Sequence, residues 1–152
     1  MKIVGIDNGV TGSITIIDTK FSSANYHKTP VFKCLNYTKK KGWMKRVDTE
    51  KLHDILFSVP REVGDGDTTM IAKAMILIER PMVNPKRFKA TVSALRALEA
   101  TLVVIEKLEI PYRYIDSKEW QKEMLPKGLK GSKELKDAAR DVAKRIFPYI
   151  HL

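Results

Sequence analysis

At 152 residues, 43% of them apolar, the chain is long enough for one compact α/β domain and short for two. The single cysteine, Cys34, excludes an internal disulfide and suits a reducing cytoplasm. No apolar run could span a membrane, and a strand-like start that carries Asp7 does not read as a signal peptide. The net charge of +10 is uneven: residues 1–19 carry −1, 20–51 carry +7, 52–116 carry none and 117–152 carry +4, so two basic zones flank a neutral middle, as a polyanion-binding surface would have them.

In chain order, residues 2–7 (KIVGID) are short and β-branched and predict a buried strand ending at Asp7. Asn8–Gly12 is a tight turn, and Ser13–Ile17 returns as the second strand of a hairpin. The third strand is expected around Val31–Tyr37, in polar, basic surroundings. Asp48 or Thr49 caps a helix with Leu52, Ile55 and Leu56 at helical spacing. Val63–Thr69 reads as a loop, and Ala74–Glu79 as a second buried strand closing on an acid.

The longest helix is expected from about Pro85 to Leu108, with Phe88, Val92, Leu95, Leu98, Leu102 and Ile105 on its apolar side. Pro111–Ile115 predicts a short strand, Asp116 or Ser117 caps a helix through Leu125, and a Gly/Lys-rich link leads to a last helix over Ser132–Phe147. This order predicts a mixed five-stranded sheet covered by helices.

Asp7 and Glu79 share a setting. Each ends an apolar strand and is followed at once by turn-forming residues. If the strands are parallel neighbours, about 4.8 Å apart, both carboxylates face one crevice at the carboxyl edge of the sheet, where open α/β sheets bind ligands. Two close carboxylates repel unless something positive sits between them, and a hard oxygen-seeking cation, Mg²⁺ by default, does this. The bland alternative makes Asp7 an Asx-turn residue and Glu79 a partner of Arg80.

These two segments carry a resemblance. "IVGIDNGVTGSI" (3–14) and "ILIERPM" (76–82) resemble the first and second motifs of the RuvC-like Holliday-junction resolvases, and residues 84–131 are similar to the phage branch of that family. The resemblance implies an RNase H-like fold and a homodimer that cuts paired strands of a four-way DNA junction with two metal ions, Mg²⁺ or in its place Mn²⁺. It makes Asp7 and Glu79 the catalytic metal ligands and Lys118 and Lys133 phosphate contacts, in a bacterial host's cytoplasm if phage-encoded. Asn8 stands where a proline is often found.

Residues 37–46 (YTKKKGWMKR) interleave Tyr37 and Trp43 with Lys39, Lys40, Lys41, Lys45 and Arg46. Cations there suit a phosphate backbone and an exposed ring an unpaired base; the alternative is a solvated hairpin with Trp43 folded inward. Lys86, Arg87 and Lys89 crowd a helix start, where an anion would relieve the conflict with the helix dipole. Trp120 is expected in the core, and His27, His53 and His151 lack metal-ligand spacing.

The last helix departs from the resemblance. Its acids, Asp137 and Asp141, are four apart and on a helical wheel lie opposite Leu135, Ala139, Val142 and Ile146. The expectation is a single domain over 1–152 without the family's final acidic helix, an incomplete metal site and weak or absent cutting with junction binding retained. Two further readings stay open. One is a branched-DNA-binding relative that does not cut; the other is an actin-like or sugar-kinase-type phosphate-binding protein, whose second phosphate loop is missing.

Overall fold

A computed structural model of the chain describes residues 1–37, 39–59, 61–63, 70–72 and 74–149. In chain order they form β1 (Lys2–Asp7), β2 (Ser13–Asp18), β3 (Ser23–Lys28), β4 (Val31–Leu35), β5 (Trp43–Val47), α1 (Thr49–Phe57), β6 (Arg61–Val63), β7 (Met70–Ala72) and β8 (Ala74–Glu79). A 3₁₀ turn (Pro85–Arg87), α2 (Phe88–Lys107), β9 (Tyr112–Ile115), α3 (Ser117–Met124) and α4 (Ser132–Ile146) follow. The loop expected at Val63–Thr69 falls, beyond Val63, outside the described residues.

Apolar side chains at a period of two build the middle of the sheet. Val4 and Ile6 of β1, Ile14 and Ile16 of β2, and Ile76 and Ile78 of β8 are buried on one face, in one cluster with Leu52 and Leu56 of α1 and Ala97, Leu98, Val104 and Ile105 of α2. Each Val, Ile or Leu among them contributes roughly 1.5–3 kcal/mol by leaving water. The five-stranded sheet runs β3-β2-β1-β8-β9. β1 pairs antiparallel with β2 and parallel with β8, and β9 extends the parallel half. The mixed sheet with flanking helices is the expected fold class.

One strand of that sheet is not the expected one. The third member is Ser23–Lys28, antiparallel to β2, whereas Val31–Leu35 pairs with Trp43–Val47 in a separate two-stranded hairpin. Ser23–Lys28 is an edge strand with no buried residue, so its polar sequence (SANYHK) carries little of the apolar signal that marks a half-buried strand.

The long helix packs with part of its expected side: Leu98 and Ile105 are buried and Leu102 lies half-buried against the core. Its first turn is 3₁₀, and the residues it buries are Thr91, Ala97, Leu98, Thr101, Val104 and Ile105. Phe88 is 72% exposed and Leu95 40%. Thr91, Ala97 and Thr101 sit among Leu98, Val104 and Ile105 on the core side, and Phe88, Leu95 and Val103 are left exposed. The shorter helices begin as their caps dictate: Asp48 accepts from the Lys51 amide at 3.2 Å and Asp116 from the Lys118 amide at 2.8 Å. Trp120 is half-buried and outside the central cluster.

Candidate metal and nucleic-acid site

Ile6 pairs with Ile78 in the parallel register of β1 and β8, so Asp7 and Glu79 leave the sheet side by side at its carboxyl edge. Strand parity puts both on the face opposite the buried isoleucines. The turn after Asp7 is wound back on it: the Gly12 amide donates to the Gly9 carbonyl at 3.1 Å, and a Cβ at Gly12 would lie 1.9 Å from the Asp7 carbonyl oxygen. Any side chain at Gly12 would therefore displace the residue that carries the carboxylate.

Asp7 and Glu79 line a crevice of about 270 Å³ closed by Asn8, Arg87, Thr91 and Ser117. Three contacts set its walls. The Ser117 hydroxyl, at the start of α3, donates to the Glu79 carboxylate. The Asn8 amide nitrogen donates to the Ala94 carbonyl of α2 at 3.1 Å, tying the turn to that helix. Thr91 and Asn84 exchange hydrogen bonds of 3.0 and 3.1 Å, which hold the segment leading into α2.

The Asp7 side chain opens to solvent on one side, yet protein surrounds enough of its carboxyl to hold it above its ordinary value of 3.8. Burial is the largest cause, the charge of Glu79 the next, and Lys136 of α4 opposes both. The folded state thus binds the Asp7 proton more tightly than the unfolded chain does. Its ionisation costs no stability below pH 3.8, costs progressively more as pH rises toward the raised folded value, and costs the full amount above that. Asp7→Asn should therefore raise the melting temperature of the metal-free protein at pH 7, and the gain should vanish below pH 3.8. A lowered melting temperature at pH 7 would show that the carboxylate is not under this strain.

A hard divalent cation suits these donors. Asp7 and Glu79 offer anionic oxygens, and Asn8 Oδ1 is a buried oxygen with no hydrogen-bond partner among the described residues. Such an orphan costs about 1–3 kcal/mol. Among the described residues no group of three or more His, Cys, Asp or Glu side chains could hold a metal ion. The oxygens of Asp7, Glu79 and Asn8 fit a hard cation that keeps part of its water shell.

The remaining candidates separate into two surfaces. Arg87 lines the crevice; Lys86, beside it, is exposed, with its amide held by Asn84 Oδ1 at 3.0 Å. Lys118 and Lys133 are exposed in the first turns of α3 and α4, outside the crevice lining. Asp137 and Asp141 are exposed on α4, Asp137 with Arg140 at 3.5 Å, while Leu135, Ala138, Ala139, Val142 and Ala143 are half-buried. Lys39, Lys40, Lys41, Trp43, Lys45 and Arg46 are exposed on the β4–β5 hairpin, outside the crevice lining. Trp43 is 73% exposed, and the Arg96 guanidinium lies 4.6 Å from the Tyr37 ring centroid.

Asn8, Ser117 and Lys136 were not among the expected site residues. Only their positions in the folded chain single them out, since turns, caps and basic helix faces commonly carry these residue types.

A five-stranded sheet in this order, three antiparallel strands continued by two parallel ones and flanked by helices, is an RNase H-like fold. The chain is similar to Thermus thermophilus RuvC in complex with Holliday junction substrate, with 13% identity and a TM-score of 0.56, over 97% of this chain and 80% of that one. At that identity the likeness is one of fold. A second structure of Thermus thermophilus RuvC shares 14% identity over 93% of this chain and 80% of that one, at a TM-score of 0.46, too low to support the assignment. No protein-family model and no curated protein matches the chain. No helix of the described residues is long and apolar enough to cross a membrane.

Proposed function

We propose that the chain is a structure-selective, metal-dependent endonuclease that acts on four-way (Holliday) DNA junctions. The observation that carries this reading is the pair Asp7 and Glu79, side by side at the ends of adjacent parallel strands, on a fold shared with a RuvC whose structure holds a Holliday junction substrate. Asp7 and Glu79 hold a divalent cation, Mg²⁺ or in its place Mn²⁺. When bound, such an ion lowers the pKa of water and offsets charge on a phosphate. Ser117 orients Glu79, while Arg87 and Lys136 bring positive charge to the crevice where a phosphate would approach. Lys86, Lys118 and Lys133 extend that field. The hairpin lysines and Arg46 grip the backbone of an arm, and Trp43 stacks on an unpaired base.

A second reading, junction binding with weak or no cutting, is favoured by one observation: the described residues bring only two carboxylates together. Incubating the protein with labelled junction and with linear duplex of the same sequence, with and without Mg²⁺, separates the two. Preference for the junction with Mg²⁺-dependent nicks supports the nuclease, and preference without nicks supports the binder. No preference overturns both.

We infer further that the protein works as a homodimer through α2. Leu95 and Val103 project from this helix into solvent and, with the exposed Phe32 and Leu35, border a groove of about 670 Å³ between α2 and the hairpin. A two-fold dimer would present two matched crevices to the two equivalent strands of a junction. Sedimentation should show a dimer, and Val103→Glu should shift it to monomer; monomer alone at high concentration would refute the inference.

A further inference from the structure

We propose that Asn8 supplies, through its side-chain Oδ1, a third protein oxygen to the cation held by Asp7 and Glu79. This inference rests on the metal reading of that pair.

The amide has two ends, and the structure distinguishes them. Only the nitrogen can donate, and it donates to the Ala94 carbonyl at 3.1 Å; the reverse orientation would set oxygen against oxygen. Oδ1 is therefore the end turned away from that carbonyl. It is closed to solvent and has no hydrogen-bond partner among the described residues. The large majority of buried side-chain polar atoms find a partner, and the residue that carries this orphan is next in sequence to Asp7 and lines the crevice that Asp7 and Glu79 share, so the oxygen calls for one.

Water is a poor candidate, because the atom is closed to it. A cation is a better one: Mg²⁺ approaches an oxygen to about 2.1 Å, whereas a water oxygen stops at about 2.8 Å. Amide oxygens are ordinary ligands for hard cations. A neutral third donor also adds ligation without adding to the repulsion between Asp7 and Glu79. The bond to Ala94 holds the side chain in place, so little rotamer freedom remains to be lost when an ion binds.

The test is Mn²⁺ titration of the full, DNA-free chain by calorimetry, with spin resonance of the free ion as a second readout. Asn8→Ala removes the oxygen and the donor together and should weaken Mn²⁺ binding by at least about tenfold, the loss that even an outer-shell partner causes. Asn8→Asp keeps an oxygen and removes the donor, so it should bind Mn²⁺ at least as tightly as the wild type. Equal losses in the two variants would mean that Asn8 only braces the turn against α2, and no loss in Asn8→Ala would mean that it has no part in the site. Either result overturns the proposal. If Asn8→Ala does not fold, Asn8→Asp decides alone, a weakened affinity counting against the proposal. Asp7→Asn is the control for the underlying reading. If it leaves Mn²⁺ binding intact, the metal site itself is misplaced; if it abolishes binding while Asn8→Ala does not weaken it, only the role of Asn8 fails.

Discussion

Asp7→Asn is expected to abolish Mg²⁺-dependent cutting of a four-way junction while leaving junction binding within a few-fold of the wild type. The substitution keeps the volume of the side chain and removes its charge. Several kilocalories of charge stabilisation by a metal correspond to a loss of about 10³-fold or more in rate. DNA affinity is spared because most of the residues assigned to phosphate lie outside the crevice lining, on the hairpin and in the first turns of α3 and α4. Because two carboxylates hold an ion weakly, the wild-type rate itself is expected to be low. The assay therefore needs excess enzyme, long incubation and a parallel series in Mn²⁺. Undiminished cutting by the variant would remove Asp7 from the mechanism. Glu79→Gln should behave alike, with one difference: a Gln can still accept from the Ser117 hydroxyl, so the crevice wall stays in place.

The second large effect is expected from the hairpin. Lys39, Lys40 and Lys41 are exposed at its tip, beside Tyr37 and Trp43. If each neutralises one phosphate, replacing all three by Gln removes three released counterions and flattens the log–log salt slope by about 2.7. Between 50 and 200 mM salt the variant would then lose about fortyfold less affinity than the wild type. Fluorescence anisotropy on a labelled junction across that range measures it directly. An identical slope would show that the tip does not touch DNA, and the basic zone would then be a solvated surface. The experiment is independent of catalysis, so it also separates a DNA-binding protein from the phosphate-binding alternative, for which junction affinity at any salt is not expected.

How much could be read without coordinates varies by element. Segments that are both apolar and capped were legible at once. The apolar run of Lys2–Asp7, the Ala74–Glu79 strand and the Asp48 and Asp116 caps all stand where their residues put them, because local burial pattern and capping chemistry are written in contiguous residues. Ser23–Lys28 was not legible. An edge strand of polar residues gains its place from backbone hydrogen bonds to β2, and backbone groups are the same in every sequence. The full core side of α2 was hidden for a related reason: Leu98 and Ile105 face the core as expected, but Thr91 and Thr101 join them while Phe88 and Leu95 do not. The helix carries apolar residues on more than one side, and whether Leu95 or Thr101 turns inward depends on how closely the helix can approach the sheet.

The candidate site divides in the same way. By itself the sequence determined that Asp7 and Glu79 end apolar strands and open into turns, since strand burial and turn propensity act within a few residues of each acid. That these strands are parallel neighbours in register was decided only by the tertiary structure, which closes a separation of more than 70 residues through the core shared with α1 and α2. The same closure decided which small polar and basic residues meet the acids: Asn8 pinned to Ala94, Ser117 set against Glu79, and Lys136 placed where its charge acts on Asp7. Each is an unremarkable residue in its own segment. Electrostatic and hydrogen-bonding partners are chosen by distance in space, and that distance exists only once the sheet and its helices have packed.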